Sequence, residues 1–122
     1  TLFRHQTVDA VVKVMGAGAS GLGPLLQPNS TITFTMQVLA TEPATGLTKA
    51  WRIEGTTKRA ATGGLVHVGT PTITSAGADT GTTAWAITVP AGGSGYLVLT
   101  VQGEAGKTIN WAARVHYTEL GF

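Results

Sequence analysis

Serines and carboxylates are the side chains with which this sequence would carry out hydrolysis. A serine nucleophile needs a sharp, glycine-rich turn between a strand and a helix, and none of the four serines lies in such a motif: Ser20, Ser30, Ser75 and Ser94. Acid–base hydrolysis needs two carboxyl groups at a set separation. The six acidic residues fall in separate segments, and their spacing suggests no pair: Asp9, Glu42, Glu54, Asp79, Glu104 and Glu119. We therefore predict that the chain is not an enzyme.

Metal and thiol chemistry have little support in the sequence. The chain has no cysteine, which excludes disulfides, thiolate zinc sites and cysteine nucleophiles. Its histidines are His5, His67 and His116, and no two of them are spaced to share a metal ion within one strand. We predict neither a metal site nor any other cofactor.

A glycine-rich motif at Gly16–Gly21 matches the dinucleotide-binding pattern G-x-G-x-x-G, and Glu42 follows about 20 residues later. That site requires a helix that opens at the loop and holds the pyrophosphate on its N-terminal amides. Pro24 and Pro28 follow instead, together with a further glycine, and they oppose a helix. The motif is therefore interpreted as a loop between strands.

Aromatic residues have two interpretations. If exposed, the three tryptophans would stack on sugar rings; if inward-facing, they would fill the core. Each tryptophan is in register with aliphatic neighbours, so the core is favoured for four aromatic residues: Trp51, Trp85, Trp111 and Phe34.

Four other side chains are better placed for contact with a partner: Arg52, Arg114, His116 and Tyr117. Tyr117 and Tyr96 also suit a subunit interface, where aromatic residues are enriched.

The elements that must position these side chains are short strands. In Ser30–Thr41, apolar residues and threonines alternate with a period of two, which is typical of a half-buried strand. Glycine-rich turns separate further strands, predicted at Thr7–Met15, Leu47–Gly55, Leu65–Val68, Pro71–Thr74, Ala84–Val89, Gly95–Gln102 and Ile109–Glu119. Gly16–Pro28 is the longest predicted irregular segment, and no amphipathic helix is predicted. The pattern indicates an all-β fold, an antiparallel, jelly-roll-like β-sandwich of about eight short strands.

Composition limits the class of partner. The chain has 122 residues, which suits a single domain over residues 1–122. Charged residues make up 11% of it, less than half of the usual fraction of about 25%, so its surface suits assembly with other copies or with a larger particle. The cations are scattered, which argues against nucleic acid. Membrane insertion is not expected, because no apolar run of about 18 residues exists.

Two segments near the C-terminal end carry a resemblance to a known family. Gly95–Gly103 reads GYLVLTVQG, and Ile109–Glu119 reads INWAARVHYTE. Together they resemble the C-terminal β-sandwich of structural proteins of tailed bacteriophages, in which G-x-L-x-V-x-V-x-G precedes I-x-W-x-A-x-V-x-x-x-E. Lys49–Gly55, Thr83–Val89 and the Pro28–Ser30 opening of the threonine-rich strand match as well, so the resemblance covers about residues 7 to 120.

The resemblance implies a virion component, either a capsid decoration or head-fibre protein or the tip of a tail fibre or tailspike. Such domains commonly form homotrimers, and they are made in the cytoplasm of the bacterial host. The expected partners are other copies of the chain, the capsid or the tail and, in the fibre version, a host surface glycan. The loops at Ala60–Gly64 and Ala76–Thr83 are expected to meet the partner. A free-standing carbohydrate-binding module remains the alternative.

Overall fold

The alternation in Ser30–Thr41 produces the central strand of the molecule, in which buried and more exposed side chains follow one another along all 12 residues. The computed structural model describes residues 2–15, 22–25, 27–90 and 96–122. These residues form eleven strands in chain order, β1 to β11: Leu2–Val8, Val12–Met15, Leu22–Leu25, Ser30–Thr41, Thr48–Arg59, Leu65–His67, Thr72–Ala78, Ala86–Thr88, Tyr96–Leu97, Leu99–Gln102 and Thr108–Gly121. The described residues contain no helix, which confirms the all-β prediction.

One large sheet dominates the fold. Its strands follow the order β1-β11-β4-β5, and both β6 and β7 pair with β5, so that they share one edge. Two small sheets, β2-β10-β8 and β3-β9, complete the fold. All pairings are antiparallel, and the sheets curl into a half-barrel, which agrees with the predicted sandwich-like architecture.

The core lies between the inner face of the large sheet and the strands of the small sheets. Side chains from the large sheet meet Ile87, Leu97, Leu99 and Val101 there, and a single cluster of buried apolar residues results. The four aromatic residues predicted for the core lie in this cluster, each with less than one tenth of its surface exposed: Phe34, Trp51, Trp85 and Trp111. This burial removes the tryptophan rings from any sugar-stacking surface.

The N-terminal strand prediction was wrong in one respect. Thr7–Met15 was expected as one strand, but the chain turns at Asp9, which has a φ of 60°. The turn is held because the Asp9 N–H donates to the Lys107 carbonyl oxygen at 3.0 Å and its Oδ1 accepts from the Gly106 N–H at 2.8 Å. As a result β1 joins the large sheet and β2 joins a small one. The turn depends on contacts with residues that are distant in the sequence, and the alternation of residues along the strand does not reveal such contacts.

Other strand boundaries also differ from the predictions. Thr72–Ala78 is longer than the predicted Pro71–Thr74, so Ala76–Ala78 belongs to β7 and not to a loop. Leu22–Leu25 pairs with β9 inside the segment predicted to be irregular. The glycine motif Gly16–Gly21 lies outside the described residues, as does the side chain of Tyr96.

Candidate functional site

A groove crosses the strands on the outer face of the large sheet. Its floor follows one row of paired residues, in which Ala112 is opposite Leu39 and Leu39 is opposite Ala50. Ala76 of β7 extends the floor on one side, and Arg4, opposite Ala112 on β1, ends it on the other. We call this feature the cross-strand groove. Small side chains in the row leave space between the longer side chains of the two neighbouring rows.

The first wall of the groove carries amides and hydroxyls. Gln6, Asn110, Thr41 and Thr48 lie opposite one another on four successive strands. The Gln6 side-chain amide donates to Asn110 Oδ1 at 2.9 Å, which orients both amides. The hydroxyls of Thr41 and Thr48 lie 3.4 Å apart. This wall offers donors and acceptors without charge.

The second wall is cationic. Arg114 lies opposite Gln37, which lies opposite Arg52, so both arginines predicted to contact a partner are in one row. Arg52 Nε donates to Glu54 Oε1 at 3.0 Å, and both side chains are more than half exposed. Arg114 is exposed as well and has no described acid within ion-pair distance. The positive charge of this wall is therefore greatest at Arg114.

Two depressions make up the groove. One, of about 460 Å³, lies between Arg4 and the amide wall. The other, of about 390 Å³, lies between Arg52 and Arg114. Leu39 and Ala112 line both, so the two depressions adjoin each other on the sheet.

The four predicted contact residues do not form one site. Arg52, Arg114 and His116 lie on the outer face, but Tyr117 lies opposite Phe34 and so belongs to the core-facing side of the strand. Tyr117 is 43% exposed because it lies near the end of the sheet, past the buried Val115. The side chains that sequence reasoning missed are Arg4, Gln6, Asn110 and Gln37. Only the register between strands that are distant in sequence brings them together, although alternation alone places Asn110 and Arg114 on one face.

A second polar cluster brings two carboxylates to one lysine, although their spacing in the sequence suggests no pair. Lys107 Nζ lies 2.8 Å from Glu104 Oε2 and 3.9 Å from Glu42 Oε1. Glu42 is buried and also accepts a hydrogen bond from the Thr45 hydroxyl at 2.6 Å. The lysine offsets one of the two negative charges and ties the β4–β5 connection to the β10–β11 connection. Because every described polar contact here is internal, the cluster has a structural role.

Titration of this cluster should change the stability of the fold. The hydrogen bond from Lys107 lowers the pKa of Glu104, partly offset by desolvation, and the same bond raises the pKa of Lys107. Since the folded state binds the Glu104 proton less tightly, the stabilisation is present above the unfolded pKa of about 4.3. It is lost as pH falls through the lowered folded pKa. At the alkaline end it is lost as pH rises through the raised pKa of Lys107.

We expect Glu104→Gln to lower the melting temperature at pH 7 and the difference from the unaltered protein to shrink below about pH 4. Melting curves from pH 3 to 8 measure this. Glu54→Gln is the matched control, because its partner Arg52 is largely solvated and exposed pairs contribute about 0–1 kcal/mol. A difference for Glu104→Gln that does not change with pH would contradict the assignment.

The remaining polar side chains near the core connect elements. The His67 ring contacts Thr57 Oγ1 at 3.0 Å and the Val89 carbonyl oxygen at 2.9 Å, and so links β6 to the segment after β8. Lys49 Nζ donates to the carbonyl oxygens of Thr82 and Trp85, which anchors the loop after β7. Among the described residues, no three metal-ligating side chains come together.

The described part of the chain has no helix long and apolar enough to cross a membrane. No protein-family model matches the chain, and no curated protein is significantly similar to it.

Proposed function

We propose that the chain is a non-enzymatic structural protein of a bacteriophage virion that acts by subunit assembly and surface binding. The observation that carries this proposal is the uncharged, uncovered edge of the large sheet. All seven residues of β7 are exposed, and none is charged. Ile73 is 43% exposed although it lies opposite the buried Ile53. A bare sheet edge without charges is a template for pairing with another chain.

Exposed apolar side chains elsewhere support assembly. Among the residues that the structure describes, ten large hydrophobic side chains are more than two fifths exposed, and the greatest exposures are those of Leu120 at 70% and Phe122 at 68%. With charged residues at only 11% of the chain, this surface favours burial against copies of itself or a larger particle. A homotrimer on the capsid, or at the tip of a tail fibre, would cover it. Synthesis in the bacterial host cytoplasm, followed by incorporation into the virion, belongs to the same proposal.

The alternative is a free-standing carbohydrate-binding module. The cross-strand groove favours it, because the groove presents amides, hydroxyls and guanidinium groups on a rigid sheet. The buried tryptophans argue against the aromatic platform that many sugar sites use. A module of this kind would be active as a monomer, which separates the two functions.

Light scattering of the purified protein tests assembly. We expect a mass three times that of one chain, and we expect Ile73→Lys to shift the protein towards monomer, because a lysine on the sheet edge would be buried without a partner. Thr118→Lys adds the same charge at an exposed position of β11 and should leave the mass unchanged. A monomer at all concentrations would favour the alternative function.

Labelled antibody against the protein, imaged on phage particles, tests the location. Label on the head would indicate a decoration or head-fibre role, and label at the tail would indicate a fibre tip. Particles that carry no label would contradict the virion proposal.

A further inference from the structure

The outer face of the large sheet carries more positive than negative charges. Of the six acidic residues in the chain, only Glu54 lies on the outer face of the large sheet, and it is paired with Arg52. Arg4 and Arg114 are both exposed and lie on neighbouring strands, two positions apart in the register. Diagonal neighbours of this kind are about 7–8 Å apart at their α-carbons. Two guanidinium groups therefore flank the β1 end of the groove, Arg4 at the end of the floor and Arg114 on the wall opposite the amides.

Guanidinium groups favour carboxylates, which they bind through paired, charge-assisted hydrogen bonds. The groove thus combines a cationic end for an acid with uncharged donors and acceptors along one wall. Neutral amides and hydroxyls of this type suit alcohol groups of a ligand. Successive strands present them at intervals of about 4.8 Å, which is close to the length of one sugar ring.

The direction of the groove distinguishes a saccharide from a peptide. An extended peptide gains its affinity from main-chain hydrogen bonds along the edge of a sheet. The groove runs across strands β11, β4 and β5, whose main-chain groups already pair with neighbours on both sides. Only side chains are therefore available to a ligand in the groove, and these match ring hydroxyls and carboxylates.

We propose that the cross-strand groove binds an acidic polysaccharide, whose carboxylates lie at Arg4 and Arg114 and whose sugar rings lie along the floor of Leu39, Ala112 and Ala50. Gln6, Asn110 and Gln37 contact the hydroxyls. This inference rests on the surface-binding role proposed above, but it does not depend on trimer formation or on attachment to a virion.

Binding of polygalacturonate to the full chain, measured by calorimetry in low salt, tests the proposal. Fully methyl-esterified polygalacturonate is the matched ligand without charge. We expect the acidic polymer to bind and the ester to bind at least tenfold more weakly. Arg114→Gln and Arg4→Gln should each weaken binding about tenfold, because each removes a charge-assisted contact. Lys58→Gln removes the same charge at an exposed position of the outer face outside the groove and should have little effect.

Three results would overturn the proposal. If polygalacturonate shows no measurable binding, the site is excluded. If Lys58→Gln and Arg114→Gln lose equal affinity for polygalacturonate, the attraction to the polyanion is nonspecific. Poly-glutamate that binds as tightly as polygalacturonate would show that the groove prefers an acidic peptide. Because the assay uses isolated protein, it can fail while trimer formation and virion labelling succeed, and the reverse also holds.

Discussion

Replacement of Trp111 by alanine is expected to lower the free energy of unfolding by about 3–5 kcal/mol, a large share of the 5–15 kcal/mol typical of a small domain. Trp111 is 1% exposed and stacks on Trp51, with ring centroids 5.6 Å apart and an interplanar angle of 15°. Its Nε1 donates to the Thr7 hydroxyl at 2.9 Å in a buried hydrogen bond. The substitution removes the packing, the stack and the hydrogen bond together.

Urea denaturation followed by circular dichroism measures this change. Trp111→Phe is the graded control, because it keeps an aromatic ring against Trp51 and loses only the indole N–H and part of the volume. We expect its destabilisation to be smaller than that of alanine. Leu39→Ala truncates an apolar side chain on the same sheet that is 48% exposed and should cost about 1 kcal/mol or less. If Trp111→Ala lowered the free energy of unfolding by less than the cost expected for Leu39→Ala, Trp111 would not be a core residue.

Trp111 also illustrates what local sequence predicts. Its neighbours Ile109, Ala113 and Val115 alternate with residues that are polar or small, and this pattern identifies the inner face of β11 without knowledge of any other strand. The same reasoning identified the burial of Trp51, Trp85 and Phe34 and the exposure of Arg114 and His116. The two-residue alternation along a strand predicts which side chains are buried, because a strand of a sandwich has one face towards the core.

The cross-strand groove could not be predicted in this way. Gln6 and Asn110 are 104 positions apart, and they become neighbours only because β1 pairs with β11 in one particular register. A shift of one residue would place Gln6 on the core side. The cluster of Glu42, Glu104 and Lys107 has the same origin, since loops that are distant in sequence meet at one end of the sheets. Alternation assigns faces, whereas pairing partners and register require the whole fold.

The second large loss of stability is expected at Gly103, where the structure has no space for the methyl group of an alanine. A β-carbon built on Gly103 would lie 2.6 Å from Thr7 Oγ1 and 2.8 Å from the Asp9 carbonyl oxygen. Neither neighbour moves freely. Thr7 is 2% exposed and accepts the Trp111 hydrogen bond, while Asp9 is held in its turn by the Lys107 carbonyl oxygen and the Gly106 N–H. We therefore expect Gly103→Ala to destabilise the fold by about 3 kcal/mol, at the upper end of the usual cost of overpacking.

Urea denaturation measures the loss, and tryptophan fluorescence of the folded state reports its cause. Displacement of Thr7 would weaken its hydrogen bond to Trp111, so the emission of Gly103→Ala should shift even without denaturant. Gly121→Ala is the matched control, because the nearest atom to its added methyl group would be the Asn29 carbonyl oxygen at 3.9 Å, and it should change stability by no more than about 0.5 kcal/mol.

Thr7→Ala combined with Gly103→Ala should cost less than the sum of the two single changes, since the first removes the hydroxyl that the second displaces. Additive losses would show that Gly103 and Thr7 do not share one packing site and would place the origin of the strain at the Asp9 turn alone.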